Sequence, residues 1–287
     1  MKLNNYNIGY LYALLYSFSI AISSVYISED YGLKYNVYTL LFFSSVISIL
    51  IFNIINYKRI KMAHKSIFID YKIYLIMALI MAFCWLFTYI GIIYINASTT
   101  FILIPISASL LSFIKKRNLV LTIISLILLL IIYKVIPQLT YINISAPILA
   151  GFAFYLYFKY SNLFIERNNL TPIDVLSIRS YLLILTLTPF IILNNQYLLQ
   201  TIYSFDFMIT ISVIAVFNLT IPNIFSQISA KHIGADSLST MNFLTPMMAF
   251  FLEKIHNDSL LTYNSLYILV LFMIVFIFLN IKIIYLK

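Results

Sequence analysis

The stretches SFIKKRN (Ser112–Asn118) and FFLEKIHND (Phe250–Asp258) each follow an apolar run, yet one is strongly basic and the other sets Lys254 among Glu253 and Asp258. Shifting the chain on itself by 138 residues lays Lys115 and Lys116 over Glu253 and Lys254, lays Ala97 over Ala235, and superimposes the apolar segments. Such self-similarity, carried by hydropathy and punctuation, marks a repeated structural unit. Opposite charge in two equivalent loops is expected when the two copies enter a membrane upside down relative to one another. Lys and Arg near a span resist translocation and so collect on one side.

Composition agrees with a bilayer setting. Apolar residues make up 63% of the 287 and charged residues 9%, with a mean hydropathy of +0.99, well outside the range of water-soluble domains. The formal net charge of +9 sits in short clusters between apolar runs, which is the pattern of membrane topology and not of a nucleic-acid footprint. One cysteine, Cys84, falls inside an apolar run, so a disulfide framework is excluded. The 24 tyrosines fit the codon bias of an AT-rich genome, so position carries more information than number.

About 20 apolar residues are needed to cross a hydrocarbon layer of roughly 30 Å. Ten segments meet or approach this: 8–27, 36–55, 73–94, 98–114, 119–136, 144–164, 173–193, 206–227, 237–252 and 263–284. The fourth and ninth are short, and only Ile95 to Ala97 separates the third from the fourth, so tight hairpins are expected there. The first follows a single Lys2 and is read as a retained helix rather than a cleaved leader. The expected fold is an all-α integral membrane protein of ten spans in two inverted five-helix repeats, residues 1–140 and 141–287.

A cytoplasmic N-terminus places Lys58, Arg59, Lys61, Lys65, Lys72, Lys115, Lys116, Arg117, Lys159 and Arg167 inside, and leaves Lys34, Lys134 and Lys254 outside. The basic loop 56–72 has as its equivalent 194–205, which contains no Lys or Arg. Both termini are therefore expected in the cytoplasm, with the chain in a bacterial cytoplasmic membrane.

The segments YIGIIYINASTTFILIPISASLLSFIKK (89–116) and ISAKHIGADSLSTMNFLTPMMAFFLEK (228–254) resemble the repeat ends of the drug/metabolite transporter superfamily, in its ten-span EamA-type branch. In that family's repeat end, a small-residue turn leads to a short helix bearing a proline and then an acid. The second copy has Ala235, Pro246 and Glu253 in place, whereas the first has Ala108 at the proline position, Pro105 three residues earlier and Lys115 for the acid. The resemblance extends over the chain through span count and repeat. It implies a transporter of small metabolites such as amino acids, their derivatives or nucleoside-like compounds.

Candidate substrate contacts follow from polar and aromatic residues inside the spans. Arg179 lies six residues into the seventh span, about 9 Å along a helix. Asp174 is about 140° away around that helix, so it is not a same-face partner. Snorkelling of the arginine to lipid headgroups is the expectation, and an anion contact the alternative. On the eighth span Thr220, Asn223 and Gln227 share one face, flanked by Asn218 and Pro222. Asn242 stands on the ninth with Ser239 and Pro246. The 138-residue shift sets Trp85 and Tyr89 of the third span against Asn223 and Gln227, which would give a cavity one stacking wall and one hydrogen-bonding wall. Interhelical packing is the competing role for each of these residues, and it is the expected role for the stripe Ala13, Ser17, Ala21.

The five glycines form no phosphate loop, and the three histidines lie in separate loops without metal-ligand spacing. No carboxylate sits near a span centre, which disfavours a buried-acid proton relay. The expected function is alternating-access transport of a small neutral or zwitterionic metabolite, with an anionic one second and no cofactor, metal or nucleic acid. Lipids are the other expected partner. A membrane-embedded lipid or prenyl transferase is the alternative, one that requires an acidic or histidine-rich cluster not evident in the sequence.

Overall fold

A computed structural model of the chain describes residues 2–28, 34–135, 141–193 and 204–256. Among the described residues every regular element is helical: α1 (Lys2–Tyr26), α2 (Val37–Ile55), α3 (Ile60–Ile69), α4 (Tyr71–Tyr94), α5 (Ala97–Lys115), α6 (Leu119–Val135), α7 (Tyr141–Asn168), α8 (Pro172–Leu176), α9 (Tyr181–Leu193), α10 (Phe205–Ile214), a π-helical turn (Ala215–Thr220), α11 (Ile221–Met241) and α12 (Leu244–His256). Among the described residues seven helical stretches are long and apolar enough to cross a membrane, and Leu119–Ile132 is a shorter apolar helix. These are the helices of a membrane protein. The expected span 263–284 lies outside the described residues.

Local chemistry sets the boundaries. Asn36 opens α2 by accepting from the Tyr38 N–H at 2.9 Å. Asn96 opens α5 by accepting from the Thr99 N–H at 2.8 Å, satisfying donors that a helix start leaves free. The latter cap makes the α4–α5 connection as tight as its sequence predicts. Thr171 and Asp174 form a reciprocal capping box at α8, with Pro172 in its first turn.

The outward faces are apolar. On α1 the stripe Ala13, Ser17 and Ala21 is fully buried, whereas Leu11, Leu14, Leu15, Phe18 and Ile22 are exposed. Burying small residues and exposing large apolar ones is how helices approach closely in lipid. The stripe is buried, as a packing role requires, and α1 lies against α11 and α12. α4 and α5 pack on α7, and α12 packs on α5. The deepest element is α5, in which every residue from Ala97 to Leu110 is buried. Gly151 lets α7 touch it: a Cβ there would collide with the Ser107 hydroxyl and the Ile104 carbonyl.

Four departures from the sequence reading matter. The span 173–193 is not one rod: α8 and α9 are separated by a turn at 177–180, where the Ile178 carbonyl accepts from the Tyr74 hydroxyl at 3.0 Å. The eighth span extends beyond Gln227 to Ile233 and ends at Gly234, whose φ of 80° and ψ of 165° break α11 in two. That conformation is essentially open only to glycine. The ninth segment is interrupted again at Asn242 and Phe243, before α12. The basic loop 56–72, read as a connection, contains α3.

Candidate functional site

A narrow cleft of about 30 Å³ lies where α1, α4, α5, α7, the 177–180 turn and α11 converge. Its aromatic side is built from Tyr16, Trp85, Phe101, Phe154, Tyr157 and Phe158, and its polar side from Thr88, Arg179, Asn223 and Ser226. Tyr16 and Phe154 stack with ring centres 6.3 Å apart, and Trp85 meets Tyr89 edge-on at 6.0 Å. A pocket of mainly apolar walls with a few placed polar groups is the usual form of a small-molecule site.

Arg179 is the only ionic head in this lining. It is 2% exposed, so the snorkelling expected from sequence does not occur. The turn at 177–180 aims its side chain into the bundle, where Nη1 donates to the Tyr157 hydroxyl at 2.7 Å and the guanidinium carbon lies 5.3 Å from that ring's centre. Nε is buried without a partner. Asp174 is engaged elsewhere, accepting from Arg59 Nε at 3.1 and 3.2 Å and from Nη2 at 2.9 Å.

The Tyr157 hydroxyl in turn donates to Gln227 Oε1 at 3.0 Å, and Gln227 Nε2 donates to the Ser161 hydroxyl. Gln227 therefore stands behind the cleft and supports it through Tyr157. Asn223 does reach the lining, held by a bond from its Nδ2 back to the Leu219 carbonyl. Of the residues singled out by sequence, the structure brings Trp85, Asn223 and Arg179 to one cleft.

The remaining candidates lie outside that lining. Asn218 donates to the Ser23 and Ser24 hydroxyls at 2.9 and 3.2 Å and accepts from the Tyr89 hydroxyl at 3.0 Å, which ties α1, α4 and the π-helical turn together. One residue, Ile221, separates that turn from Pro222, which has no N–H to return to the preceding turn; a wider π turn accommodates this loss. Asn242 sits at the break before α12, accepting from the Thr245 hydroxyl at 2.8 Å, with its side chain against the Tyr16 hydroxyl.

Sequence reasoning missed Tyr16, Thr88, Phe154, Tyr157 and Ser226. The repeat held the signal for most of them. Tyr16 and Phe154, Ile20 and Phe158, Trp85 and Asn223, and Thr88 and Ser226 are each 138 residues apart, and all eight line the cleft. Tyr157 has no comparable signal.

A second polar system joins α5 to the segment 235–256 at both ends. Glu253 accepts from the Ser98 N–H at 2.9 Å and from its hydroxyl, at the N-terminus of α5. Asp236 accepts from the Ser112 hydroxyl at 2.7 Å and pairs with Lys116 at 2.9 Å, at the C-terminus. Both arrangements favour a helix dipole, an anion at the start and a cation at the end.

Among the described residues no three of His, Cys, Asp and Glu gather as a metal site. Compared with protein-family models and with curated proteins, the chain matches none.

Proposed function

We propose that the chain is a secondary transporter of a small, planar metabolite with polar substituents, in which two inverted five-helix repeats alternate in exposing a shared central cleft. The observation that carries this reading is the composition of the cleft wall, where four pairs of residues 138 apart face one space. Repeat-equivalent residues converge in this way when a pseudo-two-fold axis runs through the site, as in many transporters.

Helix pairings point the same way. The shift of 138 turns α4 on α7 into α11 on α1, and α5 on α7 into α12 on α1. Each half thus docks its hairpin on the other half's first helix. The bonds between α5 and 235–256 set Glu253 and Lys116 at opposite ends of α5, which supports reading SFIKKRN and FFLEKIHND as loops on opposite sides of the membrane. Ten spans, cytoplasmic termini and kinship with the drug/metabolite transporters complete the proposal. Breaks at 177–180 and Gly234 supply the discontinuous helices on which such sites are commonly built.

The test is counterflow of a labelled metabolite panel in proteoliposomes. Trp85→Ala and Asn223→Ala are each expected to lower exchange while leaving the amount of inserted protein unchanged. Exchange unaffected by both, or activity seen only with lipid-linked substrates and a divalent ion, would overturn the reading in favour of another site or of an enzyme.

A further inference from the structure

Arg179 is a buried cation. Among the described residues no carboxylate lies within ion-pair distance of it, and their acids are engaged elsewhere or exposed. Asp174 is held by Arg59, Asp206 by Lys34, Asp236 by Lys116 and Asp70 by Arg167, while Glu253 is bound to Ser98 and Glu166 is exposed. A guanidinium does not shed its proton in a protein, and burying an uncompensated ion costs several kcal/mol. The face of Tyr157 returns only about 0.5–2 kcal/mol of that. One hydroxyl partner for a five-donor fork, with Nε left bare, describes a group arranged for something else to bind.

From this geometry we infer that the occupant of the cleft is a planar organic carboxylate, its anionic end on Arg179 and its ring among Trp85, Phe101, Phe154 and Phe158. This rests on the transport reading of the same cleft and names its substrate class. The guanidinium fork matches a carboxylate in shape as well as charge, and the surrounding rings bury the rest of a flat molecule. Asn223 and Ser226 remain for further polar substituents. The order of preference drawn from the sequence, neutral before anionic, is thereby reversed.

The protein carries its own reporter, since Trp85 is its one tryptophan and lines the cleft. Fluorescence of the purified full chain in detergent would be titrated with benzoate, with the isosteric neutral benzamide, with benzylamine, and with chloride as a simple anion. Benzoate should produce a saturable change with an affinity roughly tenfold or more above that of benzamide. Arg179→Gln should erase the difference, and Arg179→Lys should retain part of it. The comparison of benzoate with benzamide in the unaltered protein stands even if a variant fails to fold.

Equal affinity for benzoate and benzamide, a preference for benzylamine, saturation by chloride without a response to benzoate, or no response at all would overturn the inference. Binding and transport fail separately. Benzoate that binds but is never exchanged by proteoliposomes leaves the anion site standing and removes the transporter. Exchange of amides or amines without benzoate binding does the reverse.

Discussion

Arg179 and Tyr157 meet twice: Nη1 bonds the phenol oxygen at 2.7 Å, and the guanidinium carbon stands 5.3 Å from the centre of the same ring. The phenol also donates to Gln227, so one tyrosine fixes where the arginine points and links it to α11. Tyr157→Phe keeps the ring and removes the oxygen. Benzoate affinity, read from Trp85 fluorescence, is expected to fall roughly three- to tenfold, the scale of one lost hydrogen bond. Unchanged affinity would show that Arg179 needs no tether.

Asn218, in the π-helical turn, and Asn223, in α11, stand five residues apart but do different work. Asn218 is saturated by Ser23, Ser24 and Tyr89, so Asn218→Leu should lower thermal stability in detergent by about 1–3 kcal/mol, the cost of stranding its partners. Ligand affinity measured on the folded fraction should stay constant. Asn223→Ala should give the converse, a small loss of stability and a clear loss of binding. The same outcome for both would dissolve the distinction.

Two glycines are predicted to be irreplaceable for different reasons. Gly151→Ala drives a methyl group into the Ser107 hydroxyl and the Ile104 backbone of α5, an overpacking expected to cost about 1–3 kcal/mol. Gly234→Ala meets open space but must hold a φ of 80°, and the strain is on the order of 1–3 kcal/mol. Thermal unfolding in detergent measures both. A second change, Ser107→Ala, should recover part of the first loss and none of the second.

Orientation is checked by labelling single cysteines in a Cys84→Ser background. A cysteine replacing Lys61 on α3 should react with an impermeant maleimide only from the cytoplasmic side. One replacing Ile255, which is 81% exposed, should react only from outside. Labelling of both from one side would break the inverted arrangement.

The spans were legible in the sequence where the signal is local. Asn36 and Asn96 cap the helices that their positions announce, and the hairpin between α4 and α5 falls within a residue of its expected place. The fate of Arg179 was not legible, because it depends on a turn whose freed Ile178 carbonyl is taken by Tyr74, a residue 104 positions away. Tyr157 was hidden for a related reason. Among 24 tyrosines its role appears only once Arg179 and Gln227 are brought to it by other helices. The sequence reading puts Thr220, Asn223 and Gln227 on one face, but the π-helical turn and close packing give each residue a different neighbour: Ser48 for Thr220, the cleft for Asn223, Tyr157 and Ser161 for Gln227.

The exchange of packing partners between the halves bears on how the chain is made. α1 leaves the ribosome first, yet its principal contacts are α11 and α12, which begin about 200 residues later. At roughly 5–20 residues per second its buried stripe waits on the order of 10–40 s, with only the lesser contacts of α1 to α5 and α7 to hold it meanwhile. α7 is spared this delay, since α4 and α5 are already in place when it emerges. Assembly is thus asymmetric in time although the pairings are near-equivalent in space, and the interval before α11 arrives is when a newborn chain is most open to mispairing or proteolysis.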